Sequence, residues 1–166
     1  LEHYQNSYFK EAENLALSII NKFPDNQFCW EILGLVFRRS GKQSKALSAI
    51  KKSVQLNPTD AKAHYNLGVT LKEFGKLEEA ENSYRQAIKY KHDFVQAHLS
   101  LGNIYKTKGK LKKAENSYRE AIKYKPDLAQ AHYNLGLVET EFGKLKEAEA
   151  SYREAIKHKP DFFKAH

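Results

Sequence analysis

All eight glycines of this 166-residue chain fall in two columns with a step of 34 residues: Gly34, Gly68, Gly102 and Gly136 in one, Gly41, Gly75, Gly109 and Gly143 in the other. The four prolines form a third column, Pro24, Pro58, Pro126 and Pro160, with His92 in its one vacancy. Glycine and proline punctuate a backbone more strongly than any other residue, so periodic punctuation implies a periodic architecture. The segment GKLEEAENSYRQAIKY at 75–90 returns as GKLKKAENSYREAIKY at 109–124 and as GKLKEAEASYREAIKH at 143–158.

One period reads as two amphipathic helices. In 61–74, His64, Leu67, Gly68 and Leu71 share one helical face; in 77–90, Leu77, Ala80, Tyr84, Ala87 and Ile88 do the same. Gly75 lies between them, where a helix ends at least cost because glycine reaches the left-handed conformation freely. The second helix ends near the proline column, since proline cannot continue it. Asp93 and Asp127, each with a glutamine three residues on (Gln96, Gln130), predict capping-box helix starts. Glu81–Arg85, Glu115–Arg119 and Glu149–Arg153 are spaced as helix-surface pairs that contribute tenths of a kcal/mol each. The Leu67, Leu101, Leu135 column and the Tyr84, Tyr118, Tyr152 column are expected in the core, and Gly68 and Ala80 are expected to let paired helices approach closely.

WEILGLVF at 30–37, HYNLGVTL at 64–71, HLSLGNIY at 98–105 and HYNLGLVE at 132–139 resemble the first helix of the tetratricopeptide repeat. The alanine columns Ala46, Ala80, Ala114, Ala148 and Ala87, Ala121, Ala155, with the prolines, are similar to its second helix. The resemblance implies an all-α fold, a right-handed α-solenoid of stacked antiparallel helix pairs. Its register gives a partial repeat over 1–26 (second helix only), full repeats at 27–60, 61–94, 95–128 and 129–162, and the start of a further one at 163–166. Ser53 stands where the pattern has alanine, His92 where it has proline, and Glu139 where it has a large apolar residue.

Once the core is removed, each first helix keeps a second stripe, in 61–74 Lys62, Tyr65, Asn66, Val69, Lys72 and Glu73. In the family resembled, that face lines a concave groove that takes extended peptides. Across repeats the stripe forms columns: Ile32, Asn66, Ser100 and Asn134 with Asn103 close by; Glu31, Tyr65, Leu99 and Tyr133; Arg38, Lys72, Lys106 and Thr140. Asparagine can donate to and accept from a peptide backbone, tyrosine gives flat contact area with a polar tip, and the cations would steer an acidic segment. The expected peptide-binding residues are therefore Arg38, Tyr65, Asn66, Lys72, Ser100, Asn103, Lys106, Tyr133 and Asn134. Asn66 and Asn134 resemble the asparagine ladder of the O-linked N-acetylglucosamine transferase superhelix. The chaperone-type carboxylate clamp is disfavoured, because Glu31, Tyr65 and Leu99 occupy the place of its leading lysine.

The reading is a protein-interaction scaffold for an extended, acidic peptide, with no catalysis and no cofactor in these residues. The alternative is a targeting or oligomerisation arm of a larger enzyme such as a glycosyl- or sulfotransferase. The absence of methionine suggests a fragment of a longer chain, and Phe162 and Phe163 near an uncovered end predict self-association. The net charge of +8 is the one argument for nucleic acid, and it is outweighed because most lysines sit beside glutamates on second helices. No apolar run reaches membrane-spanning length, and one cysteine, Cys29, fits a reducing, cytoplasmic compartment and a small core position. His64, His98, His132 and His166 lie one per repeat, too far apart to share a metal ion.

Overall fold

The structure, a computed structural model, describes the backbone of residues 2–160 and the side chains of residue 8 and of residues 10–160. Phe162, Phe163 and the start of the further repeat at 163–166 lie outside the described residues. Among the described residues every regular element is helical: α1 (Glu2–Lys22), α2 (Gln27–Arg39), α3 (Gln43–Leu56), α4 (Ala61–Glu73), α5 (Leu77–Tyr90), α6 (Val95–Thr107), α7 (Leu111–Tyr124), α8 (Ala129–Glu141) and α9 (Leu145–His158). The chain divides into two compact units, Leu1–Tyr90 and Lys91–His166. Within them each first helix packs chiefly on the helix that follows: α2 on α3 and α4 on α5 in one unit, α6 on α7 and α8 on α9 in the other.

The two glycine columns act for different physical reasons. Gly41, Gly75, Gly109 and Gly143 sit between the paired helices with φ of 67° to 72°, a conformation that penalises any Cβ. There the Lys76 N–H donates to Leu71 O (2.9 Å) and the Gly75 N–H to Lys72 O (3.0 Å), which satisfies carbonyls that the end of α4 would leave open. The same pair of bonds recurs after α2, α6 and α8. The other column permits close approach: a Cβ on Gly68, Gly102 or Gly136 would lie 2.5–2.6 Å from the ring of Tyr84, Tyr118 or Tyr152. Gly34 faces Ile50 in the same way.

Small residues complete these contacts. Ala46, Ala80, Ala87, Ala114, Ala121, Ala148 and Ala155 are all buried, as are Tyr84 and Tyr118, whereas Tyr152 is partly exposed. Leu101 and Leu135 are core; Leu67 of the same column is only partly buried. Cys29 joins Ala16, Ile20, Leu33, Phe37, Ala46 and Ala49 in the core of the first unit.

Helix starts depart from the expected pattern. Asn26 caps α2 by accepting from Cys29 N, and Asp60 caps α4 by accepting from Lys62 N and Ala63 N. In the second unit α6 and α8 begin two residues after Asp93 and Asp127, so Phe94 and Leu128 hold the cap position and offer no side-chain acceptor. The acids stand one residue too early to cap, which leaves these two helices without a contribution of about 1 kcal/mol each.

Candidate functional site

The ring column at the start of each first helix ties that helix to its own preceding turn. Trp30 Nε1 donates to Pro24 O (2.7 Å), and the Nε2 of His64, His98 and His132 donates to the carbonyls of Pro58 (2.8 Å), His92 (2.7 Å) and Pro126 (2.8 Å). Each histidine also lies against a ring at the end of its second helix: Tyr90, Tyr124 or His158. Among the described residues no group of three or more His, Cys, Asp or Glu could hold a metal ion.

With its start fixed, the first helix turns its second stripe to a definite side. In the first unit Asn66 on α4 is buried, and its Nδ2 donates to Glu31 Oε1 on α2 at 2.9 Å. Glu31, buried itself, also takes Lys62 Nζ at 2.9 Å. Asn66 therefore links neighbouring first helices instead of standing in solvent. Tyr65 tilts against Tyr84 with ring centroids 5.7 Å apart. Arg38 Nε lies 3.7 Å from Glu73 Oε2, and its Nη1, hidden from solvent, has no hydrogen-bond partner among the described residues. Lys72 is exposed, with no carboxylate partner among the described residues.

The second unit repeats the theme with amides. Gln130 Nε2 donates to Asn134 Oδ1 (3.1 Å), Asn134 Nδ2 to Asn103 Oδ1 (2.9 Å), and the Tyr118 hydroxyl to the same Asn103 oxygen (2.9 Å). Two donors on Oδ1 orient the Asn103 amide, and its Nδ2 has no partner among the described residues. Asn134 is buried, while Asn103 and Ser100 are half-buried. Lys106, one helical turn beyond Asn103 on α6, has no carboxylate partner among the described residues. Tyr133 tilts against Tyr152 at 5.8 Å, and the Tyr152 hydroxyl lies 3.2 Å from Thr140 Oγ1. Burial, then the charge of Glu141, push the Tyr118 phenol well above the ordinary tyrosine range, so it stays a neutral donor.

The Glu115–Arg119 pair, expected on a helix surface, is instead part of a larger charge network in the second unit. The Glu115 side chain is wholly buried, yet it meets Lys112 Nζ (2.8 Å), Arg119 Nη1 (2.6 Å) and Lys144 Nζ (2.9 Å). Burial pushes its carboxyl up, but hydrogen bonds from Lys112 and Lys144 and the charge of Arg119 prevail and hold it at about 2. Glu139, buried in an apolar column, accepts from Arg119 Nη2 (3.1 Å) and Ser151 Oγ (2.7 Å). It packs as a satisfied ion and not as a flaw in the last helix pair. Ser83, Ser117 and Ser151 of the SYR segments are all buried.

These faces offer donors, cations and flat rings, which is the equipment of a helical-repeat interaction scaffold. Residues 71–109 and 102–141 match the TPR repeat family, and residues 49–82 and 129–162 match the tetratricopeptide repeat family. The chain belongs to the tetratricopeptide repeat family, an all-α solenoid of helix pairs that serves as a protein-interaction scaffold. No curated protein sequence matches it. Its fold is similar to that of a MamA crystal structure (TM-score 0.87, 24% identity, 98% of this chain and 95% of that one) and of MamA from Desulfovibrio magneticus RS-1 (TM-score 0.83, 16% identity, 95% and 89%). It is also similar to YrrB, described as a TPR protein with an unusual peptide-binding site (TM-score 0.78, 17% identity, 95% and 81%). Among the described residues no helix is long and apolar enough to cross a membrane.

Proposed function

We propose that the chain binds extended, acidic peptide segments on the faces of its first helices. Arg38 and Lys72 attract the segment in the first unit, and Asn103 and Lys106 do so in the second. The observation that carries this reading is that Lys72 and Lys106 have no carboxylate partner among the described residues, so an acidic segment can pair with them. Tyr65 and Tyr133 supply contact area, Ser100 lies beside the amides, and Asn66 and Asn134 act by holding neighbouring first helices in register. YrrB illustrates that the same fold can carry a peptide site. The test is fluorescence anisotropy with labelled acidic and basic peptides of equal length. The Lys72→Glu, Lys106→Glu double variant is expected to lose at least about tenfold in affinity for the acidic peptide, with a weaker salt dependence. Equal binding by variant and parent overturns the reading.

A second reading, self-association, is favoured by apolar side chains exposed on the first and last helix pairs. Leu15 and Phe28 are each 62% exposed and Leu145 is 67% exposed. Light scattering is expected to show a mass that rises with concentration and falls in Leu15→Glu or Leu145→Glu variants. A monomer mass that stays constant at high concentration excludes it.

A further inference from the structure

A cleft of about 420 Å³ opens between α1, α2 and α3, floored by Leu17, Trp30, Leu33, Phe37 and Ala49, with Glu13, Ser44, Ser48 and Lys45 completing its lining. Its origin is visible by comparison with the helices α7, α8 and α9, three periods on. There the equivalents of Leu17, Phe37 and Ala49 are Arg119, Glu139 and Ser151, and the space between them is bridged by Arg119 Nη2 to Glu139 (3.1 Å) and Ser151 Oγ to Glu139 (2.7 Å). Leucine lacks the reach of arginine and alanine has no hydroxyl, so the same place in the first unit stays open and apolar. The volume lies in the range of small-molecule sites.

Charge narrows the occupant. Lys42 Nζ and Lys45 Nζ each stand 5.6 Å from the centre of the Phe37 ring. Lys42 is neutralised by Glu13 at 2.6 Å, but Lys45 has no carboxylate partner among the described residues. The mouth of the cleft thus carries one uncompensated positive charge next to an aromatic and aliphatic floor. We propose that this cleft is a binding site for a small organic anion with an apolar body, a carboxylate or sulfonate amphiphile. Its hydrocarbon lies against Trp30, Leu33 and Leu17, and its head group pairs with Lys45. The cleft uses Trp30, Leu33 and Phe37 of α2, none of them a residue of the proposed peptide-binding stripe, and does not depend on peptide binding there.

Trp30 is the one tryptophan of the chain and lines the cleft, so its emission reports occupancy directly. Anilinonaphthalene sulfonate and its uncharged counterpart phenylnaphthylamine share a ring frame and differ in the anionic group, which makes them suitable probes. Saturable energy transfer from Trp30 is expected with the sulfonate, with several-fold weaker binding of the neutral probe. Leu17→Glu, which puts a carboxylate beside the apolar floor, is expected to lower sulfonate affinity about tenfold or more while helicity is unchanged. Lys45 is exposed, so Lys45→Gln leaves folding intact; it is expected to reduce the sulfonate to the affinity of the neutral probe. Trp30 emission that does not respond, or undiminished binding by a folded Leu17→Glu chain, overturns the site. Equal affinity for both probes overturns the anionic class of its ligand.

Discussion

Gly102→Val is expected to destabilise the second unit by roughly 3–5 kcal/mol, against about 1 kcal/mol for Gly109→Ala seven residues away. The difference follows from what each glycine does. An added Cβ at Gly102 would stand 2.5 Å from Tyr118 Cε1 and 2.7 Å from Cδ1, distances that require α6 or the ring to move. The ring has little freedom, because Tyr118 is wholly buried and its hydroxyl is bound to Asn103. Valine adds two further methyls to the same place, and the gain in helix propensity over glycine offsets only a fraction of a kcal/mol. At Gly109 nothing lies within 4 Å of an added Cβ, so only the left-handed backbone (φ 67°) opposes substitution. Isoleucine at the facing position gives no relief, since a Cβ on Gly34 would stand closer to Ile50 Cγ1 than one on Gly102 would to Tyr118; the facing side chain has to be shortened. Gly102→Ala combined with Tyr118→Ala, which removes the ring that the added Cβ meets, should therefore lose less than the sum of the two single changes, an interaction readable in a double-mutant cycle. Hydrogen exchange is the better measurement, since repeat arrays open layer by layer and protection should fall in α6 and α7 first. Equal effects at Gly102 and Gly109 would refute the close-approach account.

Much of this architecture was legible because glycine, proline and alanine impose strong backbone or steric constraints that repeat with the period. The site was less legible. Asn66 and Asn134 belong to a polar stripe, and a polar stripe reads as a solvent face, yet first helices lie edge to edge and that edge buries the amides. The signal was present in Ile32, an apolar residue in the same column, which marks the position as a contact between helices. The helix starts were misplaced by following Asp93 and Asp127; the 34-residue step from Asn26 and Asp60 leads to Phe94 and Leu128, which the structure puts at the caps. Glu139 could not be understood from its own column, because its partners Arg119 and Ser151 come from two other helices.

Between about pH 4.5 and pH 2 the second unit is expected to lose about 3 kcal/mol through Glu115 alone. In the folded chain this carboxyl is held at about 2, whereas an unfolded glutamate titrates near 4.5. A depressed folded value means that the unfolded state binds the proton first as pH falls. The contribution is thus complete above the unfolded value, and is lost as pH drops to the folded one. Lys112, Arg119 and Lys144 are 68%, 47% and 38% exposed, so added salt should screen the attraction and shrink the effect. General acid destabilisation also occurs in a chain already at +8, which gains positive charge as its other carboxylates are protonated. Glu115→Gln separates the two. The amide cannot ionise, so the variant should be the less stable at neutral pH and show a shallower acid limb. Its curve should approach that of the parent near pH 2, where the parent carboxyl is half-protonated, and meet it below. Lys112→Met, which removes one cation and leaves the acid, should move the acid limb of the parent toward higher pH. Stability curves of Glu115→Gln and the parent that run parallel from neutral pH to pH 2 would show that the carboxylate of Glu115 does not stabilise the fold.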